Sequence, residues 1–412
     1  MRRLTLVVSL YMIVCFLGIG GSAAAAATCD QVAAPGGAIT TPQQLVDRLA
    51  PGQVGCFHAG TYASTDVEVT KANVTLQSYP GEQATWNGRI VIAAPSVTVQ
   101  NLNLDGSTGD LLDGPPKTSQ CAALPLGNCT KPSVSIEAPN AKIYSNEITN
   151  HTGICIHTLS YGGLTPDRFD IERNRIHDCK PADQYIHGIY ISDAVDGVIK
   201  YNVVYNNGDR GIQLYPSATH VMVSYNTVDG NRTNMEFGGD CFGSPPVCTS
   251  PSDNTVIDNI FSFPSTSSTV LSARFNVEAY QGGGAPAGVN NMVSGNCTST
   301  NLPSYYLGEM PRGSGITASP NFTAKDEPGN PLNIVGNPHY VNRSAHDFTL
   351  ASGSPCAGKG APSSVTAPTP VGIGAQRGQK NRLARRSRGG HQSTGSQRRW
   401  HSRATPHRRG RQ

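Results

Sequence analysis

The sequence predicts an all-β fold: a single-stranded right-handed parallel β-helix, or β-solenoid, with a short N-terminal capping helix and a disordered basic C-terminal tail. Three observations carry this. An Asn recurs within a repeated apolar frame, and short strands of alternating polarity follow its copies. Gly and Pro supply 45 and 29 of the 412 residues while only 15% are charged, which leaves little sequence with a helical period.

Taken in chain order, the first element is a leader. Arg2 and Arg3 precede an apolar run from Leu4 to about Ile19, and small residues through Ala27 complete a secretory signal with cleavage expected after Ala27. Residues 1–27 are thus assigned to the signal peptide, 28–361 to the β-helix domain and 362–412 to the tail. A secreted, extracellular, monomeric protein is expected, with no membrane span after cleavage. Thr41-Pro42-Gln43-Gln44 then reads as a helix start, with Pro in the first turn and a capping-box spacing, leading into Leu45, Val46 and Leu49. Such a helix can cover the open end of a solenoid, whose strand edges would otherwise stay unpaired.

The body repeats on Asn146, Asn174, Asn202, Asn226 and Asn259, at spacings of 28, 28, 24 and 33 residues. Three residues before each Asn stands Ile143, Ile171, Ile199, Val223 or Val256; two after it stands Ile148, Ile176, Val204, Val228 or Phe261. Every coil thus sends the same positions inward. The Asn residues are expected at turns, stacked as a ladder and tolerating positive φ. A second strand follows in Gly153-Ile-Cys-Ile156, Gly188-Ile-Tyr-Ile191, Gly211-Ile-Gln-Leu214 and Asn234-Met-Glu-Phe237, each alternating with the period of a strand buried on one face.

Apart from Cys15 of the leader, ten cysteines remain, an even number suited to oxidation outside the cell. The expected disulfides are the close pairs Cys121 with Cys129 and Cys241 with Cys248, together with Cys29 and Cys56, which bracket the first segment. Cys155 with Cys179 and Cys297 with Cys356 are the simplest completion. No pair has the two-residue spacing of a zinc site, so no metal is assigned.

With these repeats, the stretch from about residue 29 to 361 resembles the secreted right-handed β-helix superfamily of pectate, alginate and chondroitin lyases, mannuronan epimerases and polygalacturonase-type hydrolases. Pro51–Tyr62 is similar to the first-coil segment of such proteins, and Asn337–Pro362 to their closing segment. The resemblance implies a polysaccharide substrate in a groove along one strand face. It places His187 and Arg210 just before consecutive strands, as solvent-facing turn residues. Outward positions are Cys155, Tyr190, Gln213 and Glu236, followed by His157, Ser192, Tyr215 and Gly238.

This patch suggests a lyase or C5-epimerase on uronate glycans. His187 would be the base, Arg210 with Gln213 the carboxylate clamp, and Tyr190 or Tyr215 the acid, with Asp209, Glu236 and His157 also touching substrate. A hydrolase is less favoured, because the paired aspartates of the polygalacturonase pattern are absent. A non-catalytic glycan binder or structural solenoid is the alternative. No cofactor is assigned; calcium is the ion an acidic body could use to meet a polyanion. Between the leader and the tail stand 18 basic and 28 acidic residues, whereas the tail from Ala361 carries 12 basic residues and no acid. The tail is expected to attract an anionic surface polymer.

Overall fold

The computed structural model describes residues 28–106, 133–151, 153–179, 186–265, 276–281, 288–299 and 333–366, with Ala285 and short strands at 316–317, 325–327 and 330–331. The leader and the tail beyond residue 366 lie outside the described residues.

Among them the chain winds as a right-handed parallel β-helix. One sheet stacks strands such as Lys142–Tyr144, Asp170–Glu172, Val198–Lys200, Met222–Ser224 and Thr255–Ile257 in parallel register. A larger sheet supplies two further columns. The first of these runs through Glu147–Thr149, Arg175–His177, Val203–Tyr205, Thr227–Asp229 and Ile260–Ser262. The other runs through Val134–Ile136, Ile156–Thr158, Ile189–Ile191, Arg210–Leu214, Thr233–Phe242 and Val277–Gln281. Ile143, Ile171, Ile199, Val223 and Val256 are fully buried, as are Ile148, Ile176, Val204, Val228 and Phe261. The inward frame read from the repeats therefore holds.

The ladder is more exacting than expected. The Asn202 backbone N–H and its Nδ2 both donate to Asn226 Oδ1, each at 2.9 Å, and the same double contact links Asn146 to Asn174, Asn174 to Asn202, Asn226 to Asn259, Asn259 to Asn296 and Asn296 to Asn333. Each carboxamide also donates to a carbonyl of the preceding coil, as Asn202 does to Ile171 O at 2.8 Å. The positive φ falls one residue earlier than expected, on Ser145, Arg173, Tyr201, Tyr225 and Asp258. The left-handed residue turns the chain, so that the Asn after it points inward and satisfies backbone amides that the bend removes from the sheets. A second Asn ladder joins Asn207 to Asn231, and a third Asn254 to Asn291.

The second corner carries a paired slot in which a strand residue meets a turn residue of the next coil. In two coils the pair is Gly188 with Asn207 and Gly211 with Asn231; a Cβ on either glycine would stand 2.9 or 2.7 Å from the Asn Nδ2. One coil lower the slot holds the Cys155–Cys179 disulfide, and below that Ser133 Oγ with His151 Nε2 at 2.8 Å.

Cys29 is bonded to Cys56, Cys241 to Cys248 and Cys297 to Cys356. With Cys155–Cys179, these are the expected pairings of every cysteine among the described residues. The remaining expected disulfide, of Cys121 with Cys129, is not among them: both Cys121 and Cys129 lie outside the described residues.

At the N-terminal end, helix Pro42–Arg48 has the capping box of Thr41 and Gln44 and buries Leu45 and Val46. The closing segment packs along the side of the solenoid. Cys356 is tied to Cys297, Lys359 pairs with Asp258, and Arg175 Nη1 donates to Val365 O at 2.8 Å. Val203, Tyr205, Phe348 and Val365 form its apolar seat. His177 anchors this face. Its Nε2 lies 2.6 Å from Glu147 Oε1 and its Nδ1 2.8 Å from Asp178 Oδ2. Burial works against the proton, but those two bonds outweigh it and raise the His177 pKa.

Replacing Asn226 by Ala would leave the Asn202 N–H and carboxamide without their acceptor, at a cost of about 1–3 kcal/mol for each orphaned group. We expect the melting temperature of Asn226→Ala to fall by several degrees; an unchanged thermogram would show that the ladder does not bear stability.

Candidate functional site

The outward face of the column that ends in Val277–Gln281 gathers most of the expected site residues. Parallel register aligns His157, Tyr190, Gln213, Glu236 and Glu278 on successive strands. One part of the expected register is corrected. Ile156 pairs with Ile189, so the coil containing Gly153 is shifted by two residues from the alignment of its Gly-Ile motif. His157 therefore joins Tyr190 in the outward row, while Cys155 takes the slot of Gly188 and is fully buried in its disulfide. His157 is half-buried and stacks on Tyr190 with centroids 4.6 Å apart and planes at 7°. Its Nε2 meets no partner among the described residues, and burial lowers its pKa to about 4.

Next to this row lies a buried ionic cluster. Asp209 is wholly buried and accepts from the guanidinium groups of both Arg210 and Arg232. Arg210 also donates from Nε to Glu236 Oε2 at 2.7 Å, and Gln213 Nε2 donates to Glu236 Oε1. Thus Arg210 and Gln213, expected to clamp a substrate carboxylate, hold Glu236 instead. Glu236 is itself wholly buried. Burial pushes the Asp209 carboxyl up to about 6 against the pull of the two guanidiniums. Burial opposes the charge on Arg210, but Glu236 and Asp209 more than offset it and raise its pKa.

His187 was expected to face solvent; it is only 3% exposed. The Arg210 backbone N–H donates to His187 Nδ1 at 3.3 Å, which makes that nitrogen an acceptor. Burial, followed by the charge of Arg210, holds its pKa well below the usual imidazole range. The ring is neutral and enclosed. Tyr190 is half-buried, and burial raises its pKa, so the phenol keeps its proton. Its ring lies 6.4 Å from that of Tyr215, whose hydroxyl donates to Asp240 Oδ2.

The sequence reading missed Glu278. It is half-buried, stands opposite Glu236 in the sheet register and accepts from Thr233 Oγ1 at 3.1 Å. Burial, then the charge of Glu236, lifts its pKa to about 7. A signal for it existed: Asn276-Val-Glu278 repeats Asn234-Met-Glu236, at a spacing of 42 residues that breaks the shorter period. Among the described residues, no group of three or more His, Cys, Asp or Glu is placed to hold a metal ion.

Residues 125–261 match the family model described as "Right handed beta helix region". No protein of curated function matches the chain in sequence. Among solved structures, pectate lyase Pel9A is 9% identical, the match covering 80% of this chain and 91% of that chain with a TM-score of 0.44. The mannuronan C-5 epimerase AlgE6 A-module of Azotobacter vinelandii is 13% identical over 64% of this chain and 81% of that chain, with a TM-score of 0.33. The tailspike protein of E. coli bacteriophage HK620, solved with a pentasaccharide, is 12% identical over 69% and 49%, with a TM-score of 0.36.

Folded Glu278 keeps its proton to about pH 7, whereas an unfolded Glu loses it near its ordinary value of 4.5. Between those values the folded state binds more protons, so the contribution of Glu278 to stability falls as pH rises. Melting curves of wild type and Glu278→Gln from pH 5 to pH 8 test this. The wild type should lose ground against the variant as pH increases; a constant difference would show that Glu278 titrates normally.

Proposed function

We propose that the protein acts on a polysaccharide by proton transfer at Glu278, as a lyase or C5-epimerase of uronate glycans. The observation that carries this is the pairing of Glu236 and Glu278 in register on the outward face, one ion-paired with Arg210 and the other lifted to about 7. A base must lie near the operating pH to take a carbon-bound proton and release it again, and a carboxyl shifted into that range meets the requirement. His187 is better suited to positioning. Its neutral ring accepts from the backbone that carries Arg210 and is enclosed by the cluster.

The charges support a uronate. Asp209 and Glu236 are matched by Arg210 and Arg232, so the cluster adds no net charge while Glu278 holds its proton. The half-buried His157 and Tyr190 rings stack on one another along this face, with Tyr215 beside them, so their outer edges would line the path of neighbouring sugars. Hydrolysis would ask for a second carboxyl able to reach the glycosidic bond. Glu236 is wholly buried, and Asp240 lies four residues further along the strand, about 13 Å away.

Incubating the protein with pectate, alginate and other uronate polymers, and following both ultraviolet absorbance and exchange of the C5 hydrogen with deuterated solvent, tests the reading. Turnover is expected on at least one polymer, with Glu278→Gln at least about a hundredfold slower and its fold intact. New reducing ends without absorbance or exchange would mean hydrolysis. Unimpaired turnover by Glu278→Gln, or none by wild type, would overturn the proposal.

A further inference from the structure

The strand that carries Glu236 does not end with the column. It continues from Thr233 to Phe242, turns, and pairs back through Val247–Thr249 as an antiparallel hairpin. Cys241 and Cys248 face one another across this hairpin and are disulfide-bonded. Strand alternation puts Glu236, Gly238, Asp240 and Phe242 on one face. At the tip Phe242 is 38% exposed and its register partner Val247 is 67% exposed. No ring or cation among the described residues lies over Phe242.

One carboxylate stands two residues before this ring on the same face of the strand. Asp240 is fixed, its Oδ2 accepting from the Tyr215 hydroxyl and its Oδ1 from the Cys241 N–H at 2.7 Å. An exposed aromatic ring beside an oriented carboxylate is a combination that grips a pyranose: the ring takes its C–H face, and the carboxylate accepts from its hydroxyls. The disulfide lowers the entropy cost of presenting them, because the hairpin is already ordered.

We propose that the hairpin Asp240–Thr249 is a distal sugar-binding seat, with Phe242 as its stacking platform for the uronate glycan on which Glu278 acts. It rests on the reading of the Glu278 face given above. Phe242 stands six positions beyond Glu236, about 20 Å along the strand. A short oligosaccharide at Glu278 cannot reach the seat, whereas a long or branched chain can. The seat therefore confers a preference for polymer over oligomer.

The test uses the full chain, with polygalacturonate and alginate as probes against their trisaccharides. Phe242→Ala should bind polymer about five- to tenfold more weakly, as expected for the loss of one stacking contact. Its trisaccharide binding and turnover should stay within twofold of wild type, and Phe242→Trp should restore polymer binding. Glu278→Gln should bind polymer as wild type does, so the two readings fail separately. Full turnover by Glu278→Gln would remove the catalytic reading and leave the seat standing. Equal polymer affinity in wild type and Phe242→Ala would overturn the seat, as would failure of wild type to bind either polymer. A wild-type dimer that Phe242→Ala converts to a monomer would likewise overturn it, by assigning the ring to a contact between copies.

Discussion

The structure depends on satisfying backbone amides at the corners of each coil. Parallel strands pair their own N–H groups, but a chain that bends three times per turn strips several of them of sheet partners within a dry interior. The Asn ladders answer this: the Asn202 carboxamide accepts from the backbone and side chain of Asn174 in the preceding coil and donates to the Ile171 carbonyl of that same coil. Coil spacing, corner direction and the inward turn of the next apolar residue follow from that contact. The glycines at 188 and 211 follow as well, since an Asn of the neighbouring coil fills the space a Cβ would need.

The same corner explains both what could be read from the sequence and what misled the reading. The frame of Asn with flanking Ile and Val was legible, because the ladder demands one residue type at one place and apolar residues at fixed offsets. The strand at Cys155 was misaligned by two, because period-2 alternation looks the same after a shift of two residues. Gly153-Ile154 offered a false match to Gly188-Ile189. Only the corner breaks the ambiguity. Cys155 and Cys179 fill the slot that Gly188 and Asn207 fill one coil higher, and Ser133 with His151 fills it one coil lower. A serine beside a histidine is here a packing solution; both are 1% exposed.

The candidate site was legible as a neighbourhood and less so as a set of roles. His187, Tyr190, Asp209, Arg210, Gln213 and Glu236 share one patch, as their spacing of about one coil implied. What spacing could not convey was depth. Arg210 and Gln213 point at Glu236, and burial encloses His187, so groups that look like substrate ligands in sequence are already engaged with one another. Glu278 escaped notice for a complementary reason. The chain between Phe237 and Val277 includes the Cys241–Cys248 hairpin and further inserted sequence, which lengthens the interval to the next rung while leaving strand register intact.

The three faces of the solenoid are then chemically unequal. The column through Val203 and Tyr205 is covered by the closing segment, which seats Phe348 and Val365 there and is tied through Cys356 to Cys297 and through Arg343 to Asp229. The first sheet presents Tyr201 and Tyr225 at its edge, with Lys200 and Arg173 already lying over the Tyr201 ring. The remaining column combines a neutralised ionic cluster, a carboxyl lifted toward neutrality and aromatic rings in register. That combination follows from stacking itself. A parallel coil repeats each outward position about 4.8 Å above the last, so one acid placed over another forces their titrations apart unless a cation intervenes. Arg210 pairs with Glu236, while Glu278, one rung further on, is lifted first by burial and then by the charge of Glu236.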